Sequence, residues 1–85
     1  MSMARELIAA IIAAEKNLDE QIMRLHSYSE KNNQLMRQID QELDGSSHSS
    51  SRNMKDQLSK TQEQLKTTVS RLQEAKTKLQ RVRTI

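Results

Sequence analysis

Two side chains in this 85-residue chain can titrate near neutral pH, His26 and His48. His48 stands within Ser46-Ser47-His48-Ser49-Ser50-Ser51, so a possible base adjoins several hydroxyls. Acyl transfer on that pairing would need base, hydroxyl and oxyanion donors held in one geometry. A serine-rich loop holds none of them still. His26 has no second ligand at metal-binding spacing, and the chain has no Cys to supply thiolates or disulfides. The residues therefore predict no catalytic group, no cofactor and no metal.

Charge offers a second kind of chemistry. Residues 1–44 hold five basic and eight acidic residues, net −3, and residues 45–85 hold nine basic and three acidic, net +6. A basic half with a pI near 9.5 could contact phosphates. Its cations, however, spread over several helix faces, and no aromatic residue lies among them for stacking on bases. The expected use of the charge is intramolecular. Lys55, Arg71, Lys76, Lys78 and Arg83 would flank a seam, facing Asp19, Asp40 and Glu42 of the first half. No nucleic-acid partner is expected.

The elements that carry these residues follow from composition and period. There is no Pro, one Gly and one aromatic residue, Tyr28, and Leu, Gln, Lys, Glu and Ala are abundant. Those residues lose little freedom in a helix. In the first half, two sets of residues alternate at intervals of three and four. One is Ala4, Ile11, Leu18, Leu25, Asn32 and Ile39; the other is Ile8, Glu15, Ile22, Ser29, Met36 and Leu43. They are the d and a positions of a heptad abcdefg. Leu7, Ala14, Tyr28 and Leu35 fall at g and widen the stripe, as suits packing against more than one helix. In the second half Leu58, Leu65, Leu72 and Leu79 recur every seven residues. Met54, Thr61, Thr68, Ala75 and Val82 are expected to fill the alternate seam positions, with Val69 at the flank.

Between the periodic segments lies "LDGSSHSSSRN", from Leu43 to Asn53. Gly45 suits a helix C-cap, and the serines compete for backbone hydrogen bonds. Asn53, Ser50 or Ser51 could cap the second helix. The expectation is an all-α fold of one domain, residues 1–85. A helix over 3–44, a Ser-rich loop over 45–50 and a helix over 51–83 would form an antiparallel, coiled-coil-like hairpin. Glu15, Ser29 and Asn32 interrupt the first stripe, and Asn32 at d is the best candidate for fixing register.

The stretch "LIAAIIAA", Leu7 to Ala14, is apolar on every side. It is shorter than the roughly 20 residues of a membrane span, and Ala13-Ala14-Glu15 makes a poor signal-peptide cleavage site. Glu6 and Glu15 also frame it with the wrong charge for a membrane surface. One partner helix covers only one face of Leu7, Ile8, Ile11 and Ile12. A patch of this kind marks an association surface. Small scaffolds without disulfides or metal need a partner for stability. The expectation is therefore a hairpin that joins a helical bundle, with another helical protein or with itself. Tyr28 is open to two roles, covering the seam or anchoring a partner.

With its length, two amphipathic helices and the mid-chain turn Leu43-Asp44-Gly45, the chain resembles the small helical hairpins of type VII secretion. Leu43 stands where the WXG type carries Trp, and no Tyr-x-x-x-acidic signal follows the second helix. It is more similar to the small α-helical partners of LXG-domain toxins. That resemblance implies a non-enzymatic targeting factor or chaperone-like partner that binds a toxin's N-terminal helical domain. Residues 7–14 would carry the contact, with the second helix's seam at Leu65, Leu72 and Leu79. The chain would be cytoplasmic, or co-secreted without a cleaved signal peptide. The alternative is a structural coiled-coil subunit of another complex, such as a type III secretion component.

Overall fold

The computed structural model describes residues 3–42 and 49–84. Helix α1 spans Met3–Glu42 and helix α2 spans Ser49–Arg83. They lie antiparallel as a rod of 67 × 15 × 14 Å. The molecule is an all-α helical hairpin, as the heptads predict. The turn residues Leu43 and Gly45 lie outside the described residues, as does His48. Asn53, Ser50 and Ser51 are not caps, because α2 already begins at Ser49.

The seam of α1 is the one expected from Ile11 to Ile39, while Ala4 and Ile8, expected to begin it, are exposed. Ile11, Glu15 and Ile39 are its buried residues. Leu18, Ile22, Leu25, Ser29, Asn32 and Met36 are half-buried between them, at the same three-four intervals. No side chain among the described residues is fully enclosed. A two-helix rod has one contact line and no interior layer, so each seam residue keeps one flank near water.

The seam of α2 differs from expectation. Its leucines Leu58, Leu65, Leu72 and Leu79 are half-buried as predicted. The alternate positions are Lys55, Gln62, Val69, Lys76 and Arg83. Met54, Thr61, Thr68 and Val82 are exposed, and only Ala75 of that set is half-buried. The helix is therefore rotated from the expected phase, by the equivalent of one residue at every other seam position. The physical reason is the polar cargo of α1. Lys55 pairs with Asp40, Lys76 Nζ lies 2.6 Å from Asp19 Oδ1, and Arg83 Nε lies 3.2 Å from Glu15 Oε1. The lysine stems cover apolar neighbours while their ammonium groups reach the rim. In the other phase Met54, Ala75 and Val82 would face these carboxylates.

Mid-rod, the same rotation brings Gln62 against the polar residues of α1. Asn32 Nδ2 donates to the Leu58 carbonyl at 2.9 Å and to Gln62 Oε1 at 3.0 Å. Gln62 Nε2 donates to Ser29 Oγ. The residues that interrupt the apolar stripe of α1 are thus answered by one glutamine and one backbone carbonyl. Polar groups drawn out of water need such partners. Register follows too. Asp19 to Asp40 spans three heptads of α1, and Lys55 to Lys76 spans three heptads of α2, so the two ion pairs demand the same alignment.

The rotation has a direct test. Val69→Ala removes half-buried surface and should destabilise by about 1 kcal/mol, whereas Thr68→Ala, outside the seam, should stay within about 0.5 kcal/mol. Urea unfolding followed by circular dichroism distinguishes this order from its reverse, which the expected phase would give.

Candidate docking surface

Near its start, α1 carries more apolar surface than α2 covers. Ile11 is 7% exposed, while Leu7, Ile8 and Ile12 are 58%, 41% and 49% exposed. The geometry explains the split. Ile11 takes the d position and points at α2. Leu7 at g and Ile12 at e lie on opposite flanks. Ile8 continues the seam two turns beyond Glu15, which already faces Arg83, the last residue of α2. Ala9, Ala10 and Ala13 leave the back of this segment small and exposed.

At the base of the patch Glu15 is 8% exposed, the one charged residue buried among those described. Its carboxylate accepts the hydrogen bond from Arg83 Nε. A buried carboxylate without such a donor would be costly. The pair therefore holds the end of α2 against α1 just where the apolar patch begins. Thr84 N bonds to the carbonyls of Gln80 at 3.1 Å and Arg81 at 3.3 Å, and Arg81 and Arg83 sit in the last turn, where cations favour the helix C-terminus.

Other predicted positions are placed differently. Leu65, Leu72 and Leu79 are half-buried in the intramolecular seam, and their outer edges alone face water. Tyr28 is 62% exposed. It does not cover the seam, which leaves its ring open on the flank. Arg71 and Lys78, expected to pair across the seam, make no ion pair among the described residues, and Glu42 makes none either. His26 lines a shallow groove with Ser29, Gln62, Lys66 and Gln73 on the e side. Among the described residues no group of three His, Cys, Asp or Glu is arranged to hold a metal ion. No helix is long and apolar enough to cross a membrane.

The rotation of α2 creates a second apolar strip by moving Met54 and Val82 from their expected seam positions to the flank. In an antiparallel pair the g positions of both helices share one side. Here that side presents Leu7, Tyr28 and Leu35 from α1 and Met54 and Val82 from α2, all exposed. Five of the nine large hydrophobic residues left exposed among the described residues thus share a single flank. The signal that could have revealed it was the match of Lys55 and Lys76 to Asp40 and Asp19 at equal spacing.

Comparison with family models, with curated proteins and with solved structures finds no match for this chain. The surface must be read on its own chemistry. It has hydrophobic area on a rigid rod and offers a partner helix something to cover.

Because Glu15 depends on one donor, Arg83→Met should destabilise the hairpin by about 1–3 kcal/mol, the lower end reflecting the exposure of the pair's arginine. Adding Glu15→Leu should return stability to the original level or above. Thermal melts of the two variants check this; a double variant no more stable than Arg83→Met alone would remove the pair from its assigned role.

Proposed function

We propose that this protein is a non-enzymatic helical binding partner that completes a larger helical bundle. The observation that carries the reading is the exposed cluster of Leu7, Ile8 and Ile12 above the Glu15–Arg83 contact. Surface area adds support. The chain exposes 7004 Å², against about 5200 Å² for a compact monomer of its 9.8 kDa. The difference exceeds the roughly 800 Å² that each partner contributes to a standard interface. A rod with this excess becomes compact by lending its helices to another set.

Within that class, the proposed role is a targeting or chaperone-like partner of an LXG-type toxin in type VII secretion. The hairpin shape and the mid-chain Leu43-Asp44-Gly45 motif support it. In this reading the toxin's long N-terminal helices supply the missing faces of the bundle, and the chain contributes no chemistry. Leu7, Ile8 and Ile12 mark the docking end, with Ile11 buried beneath them against α2, and Tyr28 and the outer edges of Leu65, Leu72 and Leu79 lie along the rod.

The test is co-expression with the N-terminal helical domain of an LXG toxin from the same genome, followed by co-purification. The native chain should retain the domain, and the Ile8→Asp, Ile12→Asp double variant should lose it by at least about tenfold in affinity, since two desolvated charges replace two apolar anchors. Unchanged retention by the double variant would move the contact elsewhere. No binding to any such toxin domain, with self-association retained, would favour a structural coiled-coil subunit instead.

A further inference from the structure

The g-side strip differs from the opposite flank in its charge. The e side holds Asp19, Asp40, Arg52 and Lys66, a mixture of both signs. The c positions, which border the g side outside the strip, hold Arg24 and Lys31 on α1 and Arg71 and Lys78 on α2. All four are exposed, and none makes an ion pair among the described residues. No acidic residue occupies a c position on either helix. Between Tyr28 and Leu35, opposite Thr68 and Thr61, the strip is an apolar track with two cations on each side; Gln21, opposite Ala75, and Glu42, opposite Met54, are its polar g positions.

The track itself is built to be dehydrated. Thr61 Oγ1 donates to the Gln57 carbonyl at 3.0 Å and Thr68 Oγ1 to the Gln64 carbonyl at 2.8 Å. Both hydroxyls are satisfied within their own helix, so their methyl groups can be covered without stranding a donor. The register set by the Asp19–Lys76 and Asp40–Lys55 pairs places Tyr28 across from Thr68, Leu35 across from Thr61, and Val82 across from Ala14. Large faces small at each of these levels, about 10 Å apart along the rod for successive heptads. That alternation leaves dents between knobs, the surface into which the ridges of another helix fit.

We propose that the g-side strip docks an amphipathic helix whose apolar stripe is flanked by acidic residues. The proposal rests on the reading of this chain as a helix-binding module, and it holds whether or not the partner is a toxin. Charge decides between occupants. A second copy would bring Arg24, Lys31, Arg71 and Lys78 against the same four cations, a repulsive rim. An acidic-flanked helix meets them with opposite charge, and such rims govern which partner is accepted. An anionic lipid surface would also meet the cations, but it gains most from bulky side chains that protrude past the rim. Thr61, Thr68, Ala14 and Ala75 make this strip recessed at half its levels, which suits a helix and not a bilayer.

The probe is a pair of synthetic 28-residue helices with one Leu/Ala stripe, flanked by Glu in the first and by Lys in the second. Binding to the full chain is measured by fluorescence anisotropy at low and high salt. The Glu-flanked helix should bind about tenfold or more tighter, with the difference shrinking as salt screens the rim. Neutralisation by Arg24→Gln, Lys31→Gln, Arg71→Gln and Lys78→Gln should bring the two probes near parity, and reversal to Glu at the four positions should invert the order. A control with equal charge change away from the strip, Lys16→Glu, Arg37→Glu, Lys60→Glu and Arg81→Glu, should keep the original preference. Equal binding of both probes leaves the helix-binding reading standing and overturns the acidic-flank inference. Binding of neither probe overturns both. Tighter capture by phosphatidylserine vesicles than by the Glu-flanked helix, or a dimer of the native chain that the Ala14→Asp variant abolishes, would assign the strip to lipid or to a second copy and also overturn the proposal.

Discussion

Polar groups that enter the seam must be answered across it, and this requirement sets the rotation of α2 on α1. Glu15 is buried, Asp19 and Asp40 stand beside the contact line, and Ser29 and Asn32 interrupt it. Each needs a donor or acceptor from α2 at its own height. Lys55, Gln62, Lys76 and Arg83 recur at seven-residue intervals, with Val69 among them, and only one rotation aligns them all. Individual exposed pairs are worth about 0–1 kcal/mol, so they add little to stability singly. Acting at four levels on one rigid helix, they select a single phase over a competitor that is more apolar.

Selecting that phase has a consequence for the outside of the rod. The residues displaced from the seam are the small and apolar ones: Met54, Thr61, Thr68 and Val82. They come to lie on the flank that already held Leu7, Tyr28 and Leu35. The molecule therefore spends charged residues on its internal contact and leaves uncharged ones to water. That inversion is unfavourable for a solitary hairpin, and it is the arrangement expected of a component that finishes folding its surface against a partner.

The patch at Leu7, Ile8 and Ile12 and the g-side strip meet at Leu7. Together they form one path from the open end of the hairpin along its length. The Glu15–Arg83 pair stands at the junction, where α2 ceases to cover α1. A helix lying on this path would touch both α1 and α2 and convert two helices into a three-helix layer with an enclosed core. The opposite flank, with carboxylates, amines and the polar groove at His26, remains suited to solvent.

Much of this was legible without coordinates. Helix type, the α1 seam from Ile11 to Ile39, the leucine line of α2 and the apolar surplus near residues 7–14 all follow from local period and composition, because a heptad repeat records which face of a helix is dry. Asn32 as a register residue also follows from its place in the d series. The phase of the second helix did not. Between the leucines, apolar and polar residues were both available at alternate positions, and hydrophobicity favoured Met54, Thr61, Thr68, Ala75 and Val82. The choice depended on which carboxylates and amides of α1 came to stand opposite, a relation between residues up to 68 positions apart in the chain. The sequence alone thus determined the two helices and the dry side of the first. Tertiary contact decided which side of the second would be dry, and with it which flank would be left to water, because partners for polar groups exist only once the two helices are side by side.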